Sequence, residues 1–373
     1  MIFLLIFFSS VAHSAEPQNN RFQNLGVQLN PWAESQIQFW FRIFTEYSTH
    51  DAVIHDSVNL DRIYQKVQND SKHVTLARNE VHNMLLDIYK TNPNGKTLDP
   101  AKLTDEQRVY FLLQEGDLNP QAYAFAADYS RIRSQAGQKD RLENAYSISK
   151  LYLHRMEEMF VEEKVPVELT RLPFVESGFE KKAQSSVGAV GIWQFMPKTA
   201  QKDLRVDRAI DERYDPLKST RAAAKYLRSN YLHFKNWSLA IMAYNEGPGL
   251  VDKAVKRLKT SDPVQIVRLF KNGSFQFASR NYLFEFLAML DVDAKHELFF
   301  KKEDATLPPF ITVSFQKKEF IEDILAKYKL SQSLTQILNP HFREPIWKNQ
   351  SPIPAHYPVR LTGITLEEFR AKQ

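Results

Sequence analysis

The 373-residue chain contains no cysteine. Disulfides, thiol catalysis and thiolate metal sites are therefore excluded, and a lipid anchor on an N-terminal cysteine is not expected. No apolar run approaches the roughly 20 residues that a membrane-spanning helix needs. Basic runs with interleaved aromatics, the footprint of a nucleic-acid groove, are missing. The net charge of +5 is too small to argue for such a partner. The acids Asp211, Glu212 and Asp215 match no metal-binding spacing and read as a solvated loop, so neither metal nor cofactor is expected. A repeated two-lobed α/β pattern, which a solute-binding protein would show, is absent.

What is present is ordinary for a globular protein: 43% hydrophobic and 25% charged residues. The length allows one large domain or two to three smaller ones. The apolar segment Ile2–Phe8, followed by Ser9–Ala15, reads as a secretory signal over residues 1–15. The expected location is periplasmic or secreted. A mildly basic surface suits an anionic polymer.

Along the chain, Trp32–Tyr47 is an aromatic-rich helix expected to pack as core. His50–Tyr89 reads as mixed helix. Thr91–Gly95 and Gly116–Pro120 are breakers, and Ser134–Lys139 is a polar linker that closes an N-terminal helical region, 16–139. Asp140–Glu163 has the clearest helical period. Leu142, Ala145, Tyr146, Tyr152, Leu153, Met156, Met159 and Phe160 share one face. Further helices are expected after Pro197, from Asp215, over Trp237–Tyr244 and over Asn281–Leu290, so region 140–300 should be almost wholly α. Beyond Leu307 the order changes to strand (Ile311–Phe315), two helices and strand (Tyr357–Leu361), a small α+β accessory domain over 307–373.

The stretch Glu168–Pro197 stands out. Glu176 is a single acid after Leu172-Pro173-Phe174-Val175, followed by Ser177-Gly178. Ten residues on come Ser186-Val187-Gly188-Ala189-Val190-Gly191 and then Ile192-Trp193-Gln194-Phe195-Met196-Pro197. A carboxyl at a helix end among apolar groups is desolvated, which raises its pKa. Such a group stays protonated near neutral pH, as a general acid for a glycosidic oxygen must. Trp193 and Gln194 offer an aromatic platform and an amide of the kind glycan pockets use. A solvated helix-end carboxylate is the plain alternative for Glu176.

The segments Glu176-Ser177-Gly178-Phe179, Ala183-Gln184-Ser185 and Gly188–Pro197, with Ala243-Tyr244-Asn245-Glu246-Gly247 and Arg280-Asn281-Tyr282 further on, resemble the lytic transglycosylase family in content and order. The nearest branch is the membrane-bound lytic murein transglycosylase D group. The resemblance is firm over about residues 140–295. It implies a goose-type lysozyme-like helical fold, and peptidoglycan glycan strands as partner. It also implies cleavage of the MurNAc–GlcNAc β-1,4 bond by one glutamate, Glu176, with a 1,6-anhydro-MurNAc product. By the same resemblance Ser185, Gln194, Met196, Tyr244, Asn245 and Tyr282 contact substrate or the acid, and Tyr282 hydrogen-bonds Glu176. The C-terminal domain resembles a degenerate lysin motif. Glu246 departs from the family pattern, which has a small residue there. It either points to solvent, contacts a deacetylated sugar, or positions a water, and the last would make the protein a lysozyme-like hydrolase. A non-catalytic wall-binding protein is the remaining alternative.

Overall fold

The computed structural model describes residues 21–300 and 306–372. The expected signal segment, 1–15, lies outside the described residues. Helix α1 (Pro31–Thr45) starts where Asn30 accepts the Ala33 N–H and Pro31 supplies a preset φ. Its Ala33, Ile37, Trp40 and Phe44 recur at helical spacing and are buried, so the aromatic stripe is core as expected.

The next segment differs from the helical reading. Strands β1 (Asp51–Asp56) and β2 (Ile63–Gln68) pair antiparallel. After helices α2 (Ser71–Lys90), α3 (Asp105–Leu113) and α4 (Pro120–Ala126) comes strand β3 (Ile132–Ala136), paired antiparallel to the other edge of β1. The sheet order is β2-β1-β3. Five of the six residues of β1 are buried, so the central strand shows none of the alternation by which a half-exposed strand announces itself. Strand β3 takes the first half of the supposed linker Ser134–Lys139, and its exposed Arg133 and Ser134 give it a linker's composition. Ile54, Val81, Leu85, Ile88, Tyr123 and Ile132 form a core of their own between sheet and helices.

Two helices replace the single one expected over 140–163: α5 (Lys139–Ser149) and α6 (Leu153–Glu162). Ser149 Oγ donates to the Tyr146 carbonyl, a local bond that competes with helix continuation, and the chain turns at Lys150–Tyr152 with Tyr152 buried. The short α7 (Leu172–Glu176) and α8 (Pro197–Ala200) flank an irregular loop. Helix α9 (Pro216–Phe234) is capped by Asp215, which accepts from the Leu217 and Lys218 amides. Then follow α10 (Trp237–Glu246), α11 (Pro248–Leu258), α12 (Pro263–Leu269) and α13 (Phe277–Asp293). Helix α13 buries Tyr282, Leu283, Phe284, Phe286, Leu287, Ala288 and Met289, residues on every side of it. It is the central helix, in contact with α1, α7 and α10. The indole N–H of Trp40 donates to Asn281 Oδ1 across the α1–α13 contact.

The C-terminal module runs β4 (Ile311–Val313), α14 (Ile321–Tyr328), α15 (Gln332–Leu338), α16 (Glu344–Trp347), β5 (Val359–Leu361) and α17 (Leu366–Ala371). Strands β4 and β5 pair antiparallel. The expected strand–helix–helix–strand order is there, with two further short helices. Ile210, from the loop before α9, belongs to this module's core together with Ile324, Ile346 and Val359. That loop is not solvated: Asp211, Glu212 and Asp215 are buried. Arg213 pairs with Asp211, Lys218 with Glu212, and Arg360 with Asp215. Charges enter an interior when each has a cation to meet, and two of these three cations lie on the next helix (Lys218) or far off in sequence (Arg360).

Candidate active site

Glu176 is the last residue of α7. The helix stops because Gly178 and Phe179 take left-handed φ values of 60° and 58°, turning their amides back onto the Phe174 and Pro173 carbonyls. Ser177 Oγ donates to the Ile192 carbonyl at 2.9 Å, tying this turn to the loop beyond. In that loop Gly191 has φ 77°, and a Cβ there would lie 2.0 Å from the Arg213 carbonyl oxygen, so no other residue fits. The Gln194 amide donates to the Gly191 carbonyl. Ser185 Oγ accepts the Ala189 N–H at 2.9 Å.

Glu176, Ser185, Gln194, Met196, Tyr244, Asn245 and Glu246 line one cleft of about 450 Å³. The eighth expected residue, Tyr282, reaches the same point from α13: its hydroxyl donates to Glu176 Oε1 at 2.5 Å. Tyr244 donates its hydroxyl to the Trp193 carbonyl at 2.8 Å. Met196 and Asn245 stand exposed at the rim, and Glu246 ends α10. Trp193 departs from expectation. It is wholly buried, with its indole N–H given to Thr220 Oγ1, so it supports the cleft from behind and is no sugar platform. An aromatic after a glycine looks alike in sequence whether it faces the core or the groove.

The electrostatics follow from burial. Desolvation pushes the Glu176 carboxyl up to about 7, and the Tyr282 hydroxyl, which favours the anion, only partly opposes it. Burial also holds the Tyr282 and Tyr244 hydroxyls well above their ordinary value, so both remain donors. A second acid was not foreseen. Glu285, one turn beyond Tyr282 on α13, is pushed up to about 8 by burial and by the nearby charge of Glu176, against the opposing pull of Arg141. Its signal in the sequence is a lone acid in the apolar run Tyr282-Leu283-Phe284-Glu285-Phe286-Leu287. Tyr226 of α9 also lines the cleft, its ring 5.6 Å from that of Tyr244. It lies outside every recognisable motif. Among the described residues no group of three or more His, Asp or Glu is arranged to hold a metal.

The profile of the transglycosylase SLT domain family matches residues 157–266, the segment that holds Glu176, the irregular loop and the Tyr244–Glu246 end of α10. Residues 157–266 thus carry a transglycosylase SLT domain. The chain is similar to part of the membrane-bound lytic murein transglycosylase D of Escherichia coli (strain K12), at 36% identity over 181 residues, which is 43% of this chain and 39% of that protein. The membrane-bound lytic murein transglycosylase C of Glaesserella parasuis serovar 5 is 31% identical over 132 residues, 29% of this chain and 36% of that one. The chain thus spans about two fifths of the length of each of these two curated relatives. Among solved structures, the 70 kDa soluble lytic transglycosylase of Escherichia coli aligns with a TM-score of 0.36 and 21% identity, over 60% of this chain and 35% of that one. No helix among the described residues is long and apolar enough to cross a membrane.

Proposed function

We propose that the protein is a lytic transglycosylase that cuts the β-1,4 bond between MurNAc and GlcNAc in peptidoglycan, with Glu176 as its one catalytic acid. The observation that carries this reading is the state of Glu176. It is a carboxyl kept protonated near neutral pH by burial, oriented by Tyr282, and open to a cleft of about 450 Å³. In the first step the Glu176 proton passes to the glycosidic oxygen and the C1–O bond breaks, leaving positive charge on the MurNAc anomeric carbon. In the second, the Glu176 carboxylate takes the proton of the MurNAc C6 hydroxyl, whose oxygen bonds to C1. No water is consumed, the product is the 1,6-anhydro sugar, and Glu176 regains its proton. The Tyr282 hydroxyl stabilises the carboxylate between the two steps. Ser185, Gln194, Met196, Tyr244 and Asn245 are the substrate-contacting residues in this scheme.

The same reading places the protein's work outside the cytoplasm, with residues 140–300 as the catalytic domain. Digestion of purified peptidoglycan followed by mass spectrometry tests it. Products one water lighter than lysozyme products are expected, and Glu176→Gln should yield none. A second reading is favoured by Glu246, whose carboxylate lines the same cleft. If it positions a water against C1, the products carry that water and the protein is a hydrolase. Wall binding without any product from wild type would leave only the non-catalytic alternative.

A further inference from the structure

The cleft wall that carries Ser185, Gln194 and Met196 is the loop 183–196, which is joined by isolated bridges and has no helix or strand of its own; it rests on α6 and α9 through Trp193, stacked on Phe160 and bonded to Thr220. Its internal bonds are short-range: the Gly191 amide donates to the Ala183 carbonyl at 2.9 Å, the Ser185 amide to Ala189 at 2.9 Å, the Gly188 amide to Ser185 at 3.0 Å, and Val190 and Phe195 exchange amide bonds at 3.2 Å. The polar brace that joins separate points of the loop is Arg213. Its Nη1 donates to the carbonyls of Gly188 and Phe195, both at 3.0 Å, and so pins two points seven residues apart. Gly191 packs directly on the Arg213 backbone.

Arg213 is itself held. Its Nε and Nη2 form a fork on the Asp211 carboxylate at 2.9 and 2.8 Å, with both side chains nearly wholly buried. Asp211 is held from the C-terminal module. The Asp211 amide donates to the His341 carbonyl at 2.9 Å, the Arg343 amide donates to the Ala209 carbonyl at 2.9 Å, and Arg343 Nη1 reaches Asp211 Oδ2 at 3.4 Å. Between them Ile210 is sunk in the module's core, bridged to Phe342. A planar guanidinium can serve a carboxylate with one edge and two carbonyls with a remaining nitrogen, and an ammonium cannot reproduce that geometry.

We propose that Arg213 is a positioning residue for the substrate loop, and that the C-terminal module is the anchor from which it acts. The module is then a structural part of the cleft, not a tethered wall binder. Its core fixes Ile210 and Asp211, Asp211 fixes Arg213, and Arg213 fixes the loop. This deepens the reading of the cleft as a glycan site and rests on it for the loop's purpose, though not for the mechanical link.

The test is amide hydrogen exchange on the full chain, with kinetics in parallel. In Arg213→Lys the amides of Ala189, Gly191 and Phe195 should exchange faster, by about tenfold for each charge-assisted bond lost, while those of α13 keep their protection. Ile210→Ala contacts no cleft atom, yet should loosen the same three amides to a smaller degree, and it keeps the test decisive if Arg213→Lys fails to fold. On peptidoglycan, Arg213→Lys should raise KM several-fold and leave the pH profile of kcat in place, because Glu176 and Tyr282 sit on other elements. Loop amides that stay protected in Arg213→Lys would overturn the positioning role. Loop amides unchanged in Ile210→Ala, despite a lowered Tm, would overturn the link to the module. If the loop loosens as expected but the wild type cuts no glycan, the mechanical proposal stands and the glycan-cleaving reading is the one that fails.

Discussion

Desolvated acids at two places in the chain are treated in opposite ways. At the junction between α9 and the C-terminal module, burial alone would raise Asp215. The Arg360 guanidinium and His341, whose Nδ1 is 2.8 Å away, outweigh it and hold Asp215 well below the usual carboxylate range. Glu212 is likewise lowered, against its burial, by hydrogen bonds from Lys218 and Tyr357. At the cleft and just behind it, Glu176 and Glu285 are desolvated without an ion-pair partner among the described residues, and both are raised, Glu285 despite the opposing pull of Arg141. The same physical term, desolvation, makes a structural ion where a cation is supplied and a neutral acid where it is withheld.

Breaking the cleft side of this contrast should have the largest effect. Glu176→Gln should lower turnover by about 10²–10⁴-fold, the usual share of a general acid, measured as product released from peptidoglycan. It should also stabilise the fold. The carboxyl is neutral in the native state up to about 7 but ionises at about 4.3 when unfolded, so wild-type stability falls as pH rises between these values and stays reduced above them. Calorimetry at about pH 8 should find Glu176→Gln more stable by on the order of 2–3 kcal/mol. Breaking the junction works the other way. Arg360→Ala leaves Asp215 ionised and buried, a loss of about 3–5 kcal/mol seen as a lowered midpoint in urea. That loss should disappear only in strong acid, where the depressed Asp215 finally takes a proton.

Two finer substitutions sharpen the comparison. Wild-type enzyme should show two ionisations, near 7 and near 8, that belong to the Glu176–Glu285 pair. Glu285→Gln should remove the upper one and keep the lower. The smallest effect is expected at Glu246. Glu246→Gly should leave turnover of fully acetylated peptidoglycan unchanged, and a selective loss on deacetylated wall would show that its carboxylate reads a cationic sugar.

The legible parts of the molecule were those in which local sequence carries the physics. Glu176 at the end of an apolar helix, the glycines at 178 and 191 and the aromatic residues of α1 all announce themselves within a few positions. All eight site residues read from the motifs gather at one cleft, seven lining it and Tyr282 bonded to Glu176. What escaped depends on partners distant in the chain. Strand β1 is hidden because neighbours cover both its faces. The acids of the 211–215 loop look solvated because Arg343, Arg360 and Tyr357, which pair with them, come more than a hundred residues later. Trp193 looks like a platform until Thr220 is seen to take its N–H. Glu285 lies in plain view, but its raised pKa comes from burial and from the charge of Glu176, both of which only the fold supplies.

The central claim is that burial without a cation keeps Glu176 protonated at neutral pH. Carboxyl-carbon NMR on protein with isotope-labelled glutamate, titrated in parallel with Glu176→Gln, tests it directly. The account predicts a resonance with a midpoint near 7 that is missing from the variant. A Glu176 resonance that titrates at the ordinary glutamate value, about 4.3, would contradict it, and would leave the cleft without an acid ready to protonate a glycosidic oxygen.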